Sequence, residues 1–179
     1  MGHVTAARGV EGALRFDLPL LGWQDEWFPS MALRLAGESL GLDWQQAQAR
    51  LGQEIAWGPL TVPLDALSRQ WVNYYGPAGT LRTHGFIDVL EGRLAAGSLQ
   101  GAVVIVGEAA LGTGDTFATP FDSGLPGMER LGTVVDNLLT GRVLQRGSPL
   151  PELLAMLLLP LLAVWLLVRL PARQAALAL

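Results

Sequence analysis

Apolar and polar positions are interleaved through residue 150; after it the chain turns almost wholly apolar. At the front, "GHVTA" and "ALRFDLPLL" read as strand pieces around a polar turn. Pro29 to Gly41, "PSMALRLAGESLG", predicts a helix. Met31, Leu33, Leu35 and Leu40 give it an apolar stripe, Ser30 can cap its start and Gly41 stops it. Asp43 to Gly52, "DWQQAQARLG", predicts a second short helix, capped by Asp43 and ended by Gly52. The Gly58-Pro59 turn in "EIAWGPLTVPLD" separates two short extended pieces and predicts a hairpin.

Further on, "RQWVNYYG" predicts a strand running into the Gly76-Pro77 turn, "FIDVLEGRLA" a helix, and "AVVIVG" a fully buried strand. "GMERLGTVVDNLLTG" predicts a helix with Met128, Leu131, Val134, Val135, Leu138 and Leu139 on one face. Strand, helix, strand, helix from 71 to 141 argues for an α/β layer with at least one parallel pair. The expected fold class is α/β, a mixed sheet with flanking helices followed by a C-terminal transmembrane helix.

That last expectation comes from "PELLAMLLLPLLAVWLLVRLPARQAALAL". Leu153 to Val168 carries no charge and leaves no polar face for water. As a helix it is about 24 Å long, against a hydrocarbon core of roughly 30 Å. Arg169 snorkelling, Leu170 and an interfacial Trp165 extend it, and Pro160 should kink it. "QAALAL" reads as the start of a second span. Arg142 and Arg146 before the span balance Arg169 and Arg173 after it, so charge does not orient it.

Composition narrows the chemistry. The 179 residues suit one domain with a real core, and no amino-terminal signal peptide is recognised. A net charge of −4 without a basic face argues against nucleic acid as a partner. The chain has no cysteine, which excludes disulfides and thiolate chemistry. With only His3 and His84, a transition-metal site is not expected.

The loop "GDTFATPF" follows an apolar run and a glycine-rich turn, an order that suggests a phosphate site. Gly107 and Gly112 have phosphate-loop spacing, but Thr113 and Gly114 stand where Lys and Ser/Thr are needed, and Glu108 would repel phosphate. Phe117 stands where a dinucleotide fingerprint needs a small residue. Asp115 and Thr119 are instead expected to hold an irregular loop, with Pro120 fixing its exit. Asn73, Asp115 and Thr119 remain candidates to line a ligand crevice, because α/β sheets bind ligands at the carboxyl ends of their strands. No catalytic, metal or cofactor-binding residue is expected.

Linked motifs then point to a family. "VNYYGPAGTLRTHGFIDVLEGRL" followed by "VVIVGEAALGTGDTFATPF…LPGMERLGTVVDNLLTG" resembles the second type of CHASE domain. These are extracellular sensory domains of bacterial adenylate cyclases, histidine kinases and Ser/Thr kinases. The front, "GHVTA…LRFDLPLL…WFPSMALRLA", resembles the segment preceding those motifs, so the likeness covers roughly residues 2 to 147. Two positions depart from the pattern: Tyr75 replaces an Arg before the Gly-Pro turn, and Leu131 replaces a His two residues after Glu129.

The resemblance implies the C-terminal part of a sensory domain over 1–147, a juxtamembrane turn and transmembrane helix over 148–170, and a loop or second span over 171–179. It also implies a missing front half, including an amino-terminal transmembrane helix, and a missing cyclase or kinase output domain. The sensory part would lie outside the cytoplasmic membrane. Membrane lipid, an unknown small-molecule or peptide ligand and a second copy of the chain are the expected partners. Two other readings stay open. One is a membrane-anchored α/β hydrolase using Asp115 and His84 within hydrogen-bond reach. The other is a non-signalling interaction module that pairs through a sheet edge near residues 2 to 20.

Overall fold

The computed structural model describes residues 2–8, 12–24, 26–109, 115–145, 147 and 150–169. The chain divides into two compact units, Met1–Gln145 and Arg146–Leu179. The first is a mixed α/β unit of small sheets and helices. Its elements begin with strands β1 (Ala6–Arg8), β2 (Leu14–Asp17), β3 (Leu20–Trp23) and β4 (Glu26–Pro29), then helix α1 (Met31–Ser39). A 3-10 turn at Trp44–Gln46 leads to β5 (Gln48–Arg50), β6 (Glu54–Trp57), β7 (Leu60–Pro63) and β8 (Gln70–Trp71). Helix α2 (Phe86–Leu90), strands β9 (Thr116–Phe117) and β10 (Leu125–Pro126), and helix α3 (Gly127–Thr140) complete it. The second unit holds α4 (Leu150–Arg169).

Among the described residues four small sheets form: β1-β2-β8, β3-β4, β5-β6-β7 and β9-β10. Every ladder among the described residues is antiparallel, and the expected parallel strand pair is replaced by a single parallel bridge, His3 to Ser30. The β6-β7 hairpin turns at Gly58-Pro59, with Trp57 opposite Leu60. Gly58 has φ +58°, and Pro59 cannot follow it into positive φ, so this is the glycine-first II′ turn suited to strand twist.

α1 starts where Ser30 Oγ accepts the Leu33 amide at 3.2 Å, the side-chain cap its sequence predicts. It buries Ala32, Leu33, Ala36 and Gly37 and packs on α3. Around them gather Ile55, Trp57, Leu60 and Val62 from the hairpin, Val72 and Tyr74 beyond β8, and Leu131, Val134, Val135 and Leu138 from α3. Trp57 is the largest fully buried side chain among the described residues. Its ring lies against the bare backbone of Gly37, meets Trp44 edge-on at 5.2 Å, and its Nε1 donates to the Asp43 carbonyl at 2.7 Å.

Several expected elements are shorter or different. Asp43 does cap a turn, accepting the Gln45 amide at 3.0 Å, but only the 3-10 turn follows before the chain becomes β5. There the free edge of β6 takes Gln48, Ala49 and Arg50 as partners, so strand pairing overrides helix propensity. α2 has no buried residue, and it stops after one turn because no apolar stripe holds it to the core. "AVVIVG" is neither paired nor fully buried: Val103 and Ile105 pack on the core, while Val104 and Val106 point outward at 53% and 76% exposure. A run with no strand beside it keeps only the contacts of alternate residues. On α3, Leu139 is exposed and falls outside the buried face.

The expected transmembrane helix is also corrected. Among the described residues no helix is long and apolar enough to cross a membrane. In α4, Glu152 in the first turn and Arg169 in the last bound the apolar run, which leaves the charge-free stretch at about 24 Å, short of a roughly 30 Å hydrocarbon core. Arg169 sits 5.8 Å from the Trp165 ring centroid, folded back on its own helix. The Ser148-Pro149 turn and the "QAALAL" tail lie outside the described residues.

The Gly37–Trp57 contact sets a steric limit. A Cβ at position 37 would overlap the indole ring. Gly37→Ala gains about 1 kcal/mol of helix propensity but is expected to destabilise the fold by a net ~1–3 kcal/mol through overpacking, measured as a lowered urea midpoint.

Candidate functional site

α3 buries more than its apolar stripe. Glu129, Thr133 and Asn137 recur every four residues and so share one face; all three are buried, together with Arg130. Buried polar groups must find partners, and here the partners are mostly backbone. Glu129 accepts the amides of Gly79 at 2.9 Å and Leu81 at 3.1 Å, one on each carboxylate oxygen. Asn137 acts as a strand partner for Asn73: its Oδ1 accepts the Asn73 amide at 2.8 Å and its Nδ2 donates to the Asn73 carbonyl at 3.1 Å. The same Nδ2 donates to the Tyr75 hydroxyl at 2.8 Å, which in turn donates to Asp136 at 2.6 Å. Thr133 returns its hydroxyl to the Glu129 carbonyl at 2.9 Å.

The "GPAGT" turn is held from a second side. Asp122 accepts the Ala78 amide at 2.9 Å and the Gly124 amide at 2.8 Å; these two amides hold its carboxyl below the usual carboxylate range. Burial, then the Asp136 carboxylate, push the Tyr75 hydroxyl above its ordinary value. Tyr75 thus occupies the position of the expected Arg by hydrogen-bonding α3, and Leu131, at the position of the expected His, lies in the apolar core.

A second polar group lies under β2. Asp17 and Arg130 form an ion pair with side chains 3% and 4% exposed. Asp17 stands opposite Gln70 in the β2-β8 register, so both side chains leave the sheet on one face. Asp17 Oδ2, Arg130 Nε, the Gln70 amide, the Tyr74 hydroxyl and His3 Nε2 are buried and have no hydrogen-bond partner among the described residues. Burial lowers the His3 pKa; Asp17 opposes the shift and Arg130 adds to it. Burial raises that of Tyr74, with Arg130 opposing.

The sequence candidates fall in different places. Asn73 is held by Asn137, and its own Nδ2 donates to the Arg142 carbonyl at 3.3 Å. Thr119 and Asp122 close a turn: the Thr119 amide and hydroxyl both donate to the Asp122 carbonyl, at 2.6 and 3.1 Å, and the Asp122 amide returns to Thr119 Oγ1 at 3.1 Å. Asp115 is exposed, and its carbonyl accepts the Gly127 amide at 2.8 Å. His84 is exposed too, and no hydrogen bond among the described residues joins it to Asp115, as the hydrolase reading requires. Gly112, Thr113 and Gly114, on which the phosphate-loop test turns, lie outside the described residues. Among the described residues no group of three or more His, Asp or Glu side chains gathers as metal ligands would.

The Thr119–Asp122 turn presents Pro120 and Phe121 to a cleft of about 280 Å³. Its other walls are Arg15 on β2, Trp71 to Tyr74 along β8 and its continuation, and Leu144 just past α3. Thus the structure brings Asn73 to the cleft together with Pro120 and Phe121 of the "GDTFATPF" loop; Asp115 and Thr119 do not line it. Sequence reasoning passed over Asp17, Gln70, Tyr74, Glu129, Arg130 and Asn137. For the last three a signal existed: Glu129 and Asn137 lie on one helical stripe with Thr133, and Arg130 is four residues before buried Val134.

The family model described as CHASE2 domain matches residues 1–171. Comparisons with curated proteins and with solved structures give no match.

The buried ion pair yields an asymmetric expectation. Arg130→Met alone strands the Asp17 carboxylate and is expected to cost about 3–5 kcal/mol. Asp17→Leu combined with Arg130→Met removes both charges and is expected to recover most of that loss. Urea unfolding of both single variants and the double variant completes the cycle.

Proposed function

Because the chain belongs to the CHASE2 domain family, whose members are extracellular sensory domains, we propose that its globular unit is the extracytoplasmic signal-input domain of a bacterial membrane receptor. It binds a small-molecule or peptide ligand and passes the signal to a cytoplasmic cyclase or kinase. The family match carries this reading. Two features of the fold support it. The motif residues that draw the eye in sequence are engaged in holding backbone: Glu129 and Asn137 grip the segment from Asn73 to Leu81, and Thr119 and Asp122 grip each other. Beside them an open cleft is left, with aromatic walls and few polar groups, the usual make-up of a small-ligand site.

In this reading α4 is the membrane-associated part of the chain. Between Glu152 and Arg169 its residues are apolar on every side, and a helical stretch with no polar face needs a non-aqueous environment. Trp165 and Arg169 suit the lipid–water boundary at its end. Signalling requires that the ligand bind two states of the domain with different affinity.

The location of the globular unit is the direct test. Trypsin added to intact spheroplasts of the producing organism is expected to digest the globular unit while a cytoplasmic marker protein stays whole. A globular unit cut only after the membrane is ruptured would contradict the proposal.

A further inference from the structure

We propose that His3 is a proton-operated latch: a proton taken from solvent onto its Nδ1 ends the ring's hydrogen bond with Thr5, adds an unmatched charge to the buried Asp17–Arg130 site, and releases residues 2–5 from the start of α1. The latch rests on side-chain geometry and not on the sensory reading, which it goes beyond.

The backbone of His3 holds the segment in place. Its carbonyl accepts the Met31 amide at 2.7 Å, and its amide donates to the Pro29 carbonyl at 3.1 Å, which makes the parallel bridge to Ser30. Met31 opens α1, and the first amides of a helix have no partner within it. Ser30 Oγ answers the Leu33 amide and the His3 carbonyl answers that of Met31, so the front segment shares the capping of α1. Gly2 lies so close that a Cβ on it would stand 2.9 Å from Met31 Cα.

The ring is docked in its neutral form. Nδ1 accepts the Thr5 amide at 3.2 Å, so the single ring hydrogen sits on Nε2. Nε2 is buried and has no hydrogen-bond partner among the described residues. A second proton has only Nδ1 to go to, where it meets the Thr5 N–H and no acceptor. The imidazolium is then a buried charge with neither nitrogen bonded, which is costly.

The neighbours do not offset that charge. Among the described residues Asp17 on β2 and Arg130 on α3 are the charged groups that act on the ring, and they are paired with each other. Their charges cancel, so protonated His3 gives the site a net positive charge. Tyr74 and Gln70 bring only uncharged groups to the cluster, and on α1 Arg34 and Glu38 are paired with each other. Burial holds the ring below its ordinary value of 6.5, with Asp17 opposing the shift and Arg130 adding to it. The released ring therefore takes up its proton near 6.5 and the docked ring only at lower pH. Docking is intact above 6.5 and weakens as pH falls from there towards the docked ring's own value, by up to about tenfold in its equilibrium constant per pH unit. From Ala6 onward β1 stays paired with β2, so the release is local.

Native-state hydrogen exchange on the full chain in lipid nanodiscs, at about pH 7.5 and about pH 5 and corrected for intrinsic rates, tests the latch. The His3, Thr5 and Met31 amides are expected to lose about tenfold in protection at the lower pH, while the β6-β7 hairpin keeps its own. His3→Gln, whose side chain does not titrate, is expected to remove this pH dependence, and His84→Gln, at an exposed position, to leave it. Imidazole nitrogen shifts by NMR in the unsubstituted chain are expected to place the neutral ring's hydrogen on Nε2. Unchanged protection of the three amides at the lower pH, the same loss in His3→Gln, or a neutral ring carrying its hydrogen on Nδ1 overturns the latch. Should His3→Gln fail to fold, the exchange and ring shifts of the unsubstituted chain decide the matter alone.

Discussion

The backbone amides of Asn73, Gly79 and Leu81 are held by side chains of a single helix, and the rest of the globular unit depends on that grip. β8 ends at Trp71; the Val72 amide still donates to the Arg15 carbonyl of β2 at 3.0 Å, and beyond it the chain leaves the ladder, where a backbone amide shielded from water without a partner is costly. α3 supplies the missing partners: Asn137 answers both backbone groups of Asn73, and Glu129 answers Gly79 and Leu81. The same helix carries Leu131, Val134, Val135 and Leu138 into the core against α1 and the β6-β7 hairpin. One face packs, the next binds backbone, and Arg130 between them reaches Asp17 on β2.

This arrangement explains how a cleft survives beside the core. Trp71, Val72, Asn73 and Tyr74 form one wall; β2 holds Trp71 and Val72, and from Asn73 on the path is set by side-chain hydrogen bonds from α3. The Pro120–Phe121 turn and Leu144 come to the same place from different parts of the chain. The segment past α3 is the lightest of these attachments, an isolated bridge at Leu144 and one 3.3 Å hydrogen bond at Arg142.

Where local chemistry decides, the fold was legible in the sequence. Ser30 marked the start of α1, Gly58-Pro59 marked the hairpin, and the apolar spacing of Leu131 to Leu138 marked α3. Where a distant partner decides, it was not. β5 takes its form from the open edge of β6, and "AVVIVG" stays unpaired although its composition is that of a central strand. The candidate site shows the same division. Asn73 reaches the cleft, but through Asn137, 64 residues away. Asp17 sits in a strand where alternation with Arg15 reads as a wet face, yet it is buried because Arg130 arrives 113 residues later. The linked motifs identified the family; the reason for their residue types, a helix holding a turn by its amides, emerges only when the two segments lie side by side.

Native-state hydrogen exchange at Asn73, Gly79 and Leu81 tests the grip of α3 most directly. These three amides lie outside every strand and helix, so an unheld loop would exchange them at nearly the free-peptide rate. If Asn137 and Glu129 hold them, they exchange as slowly as the core amides of the β6-β7 hairpin, and all three speed up together when the domain unfolds globally. Exchange at the free-peptide rate in the native chain would contradict the account.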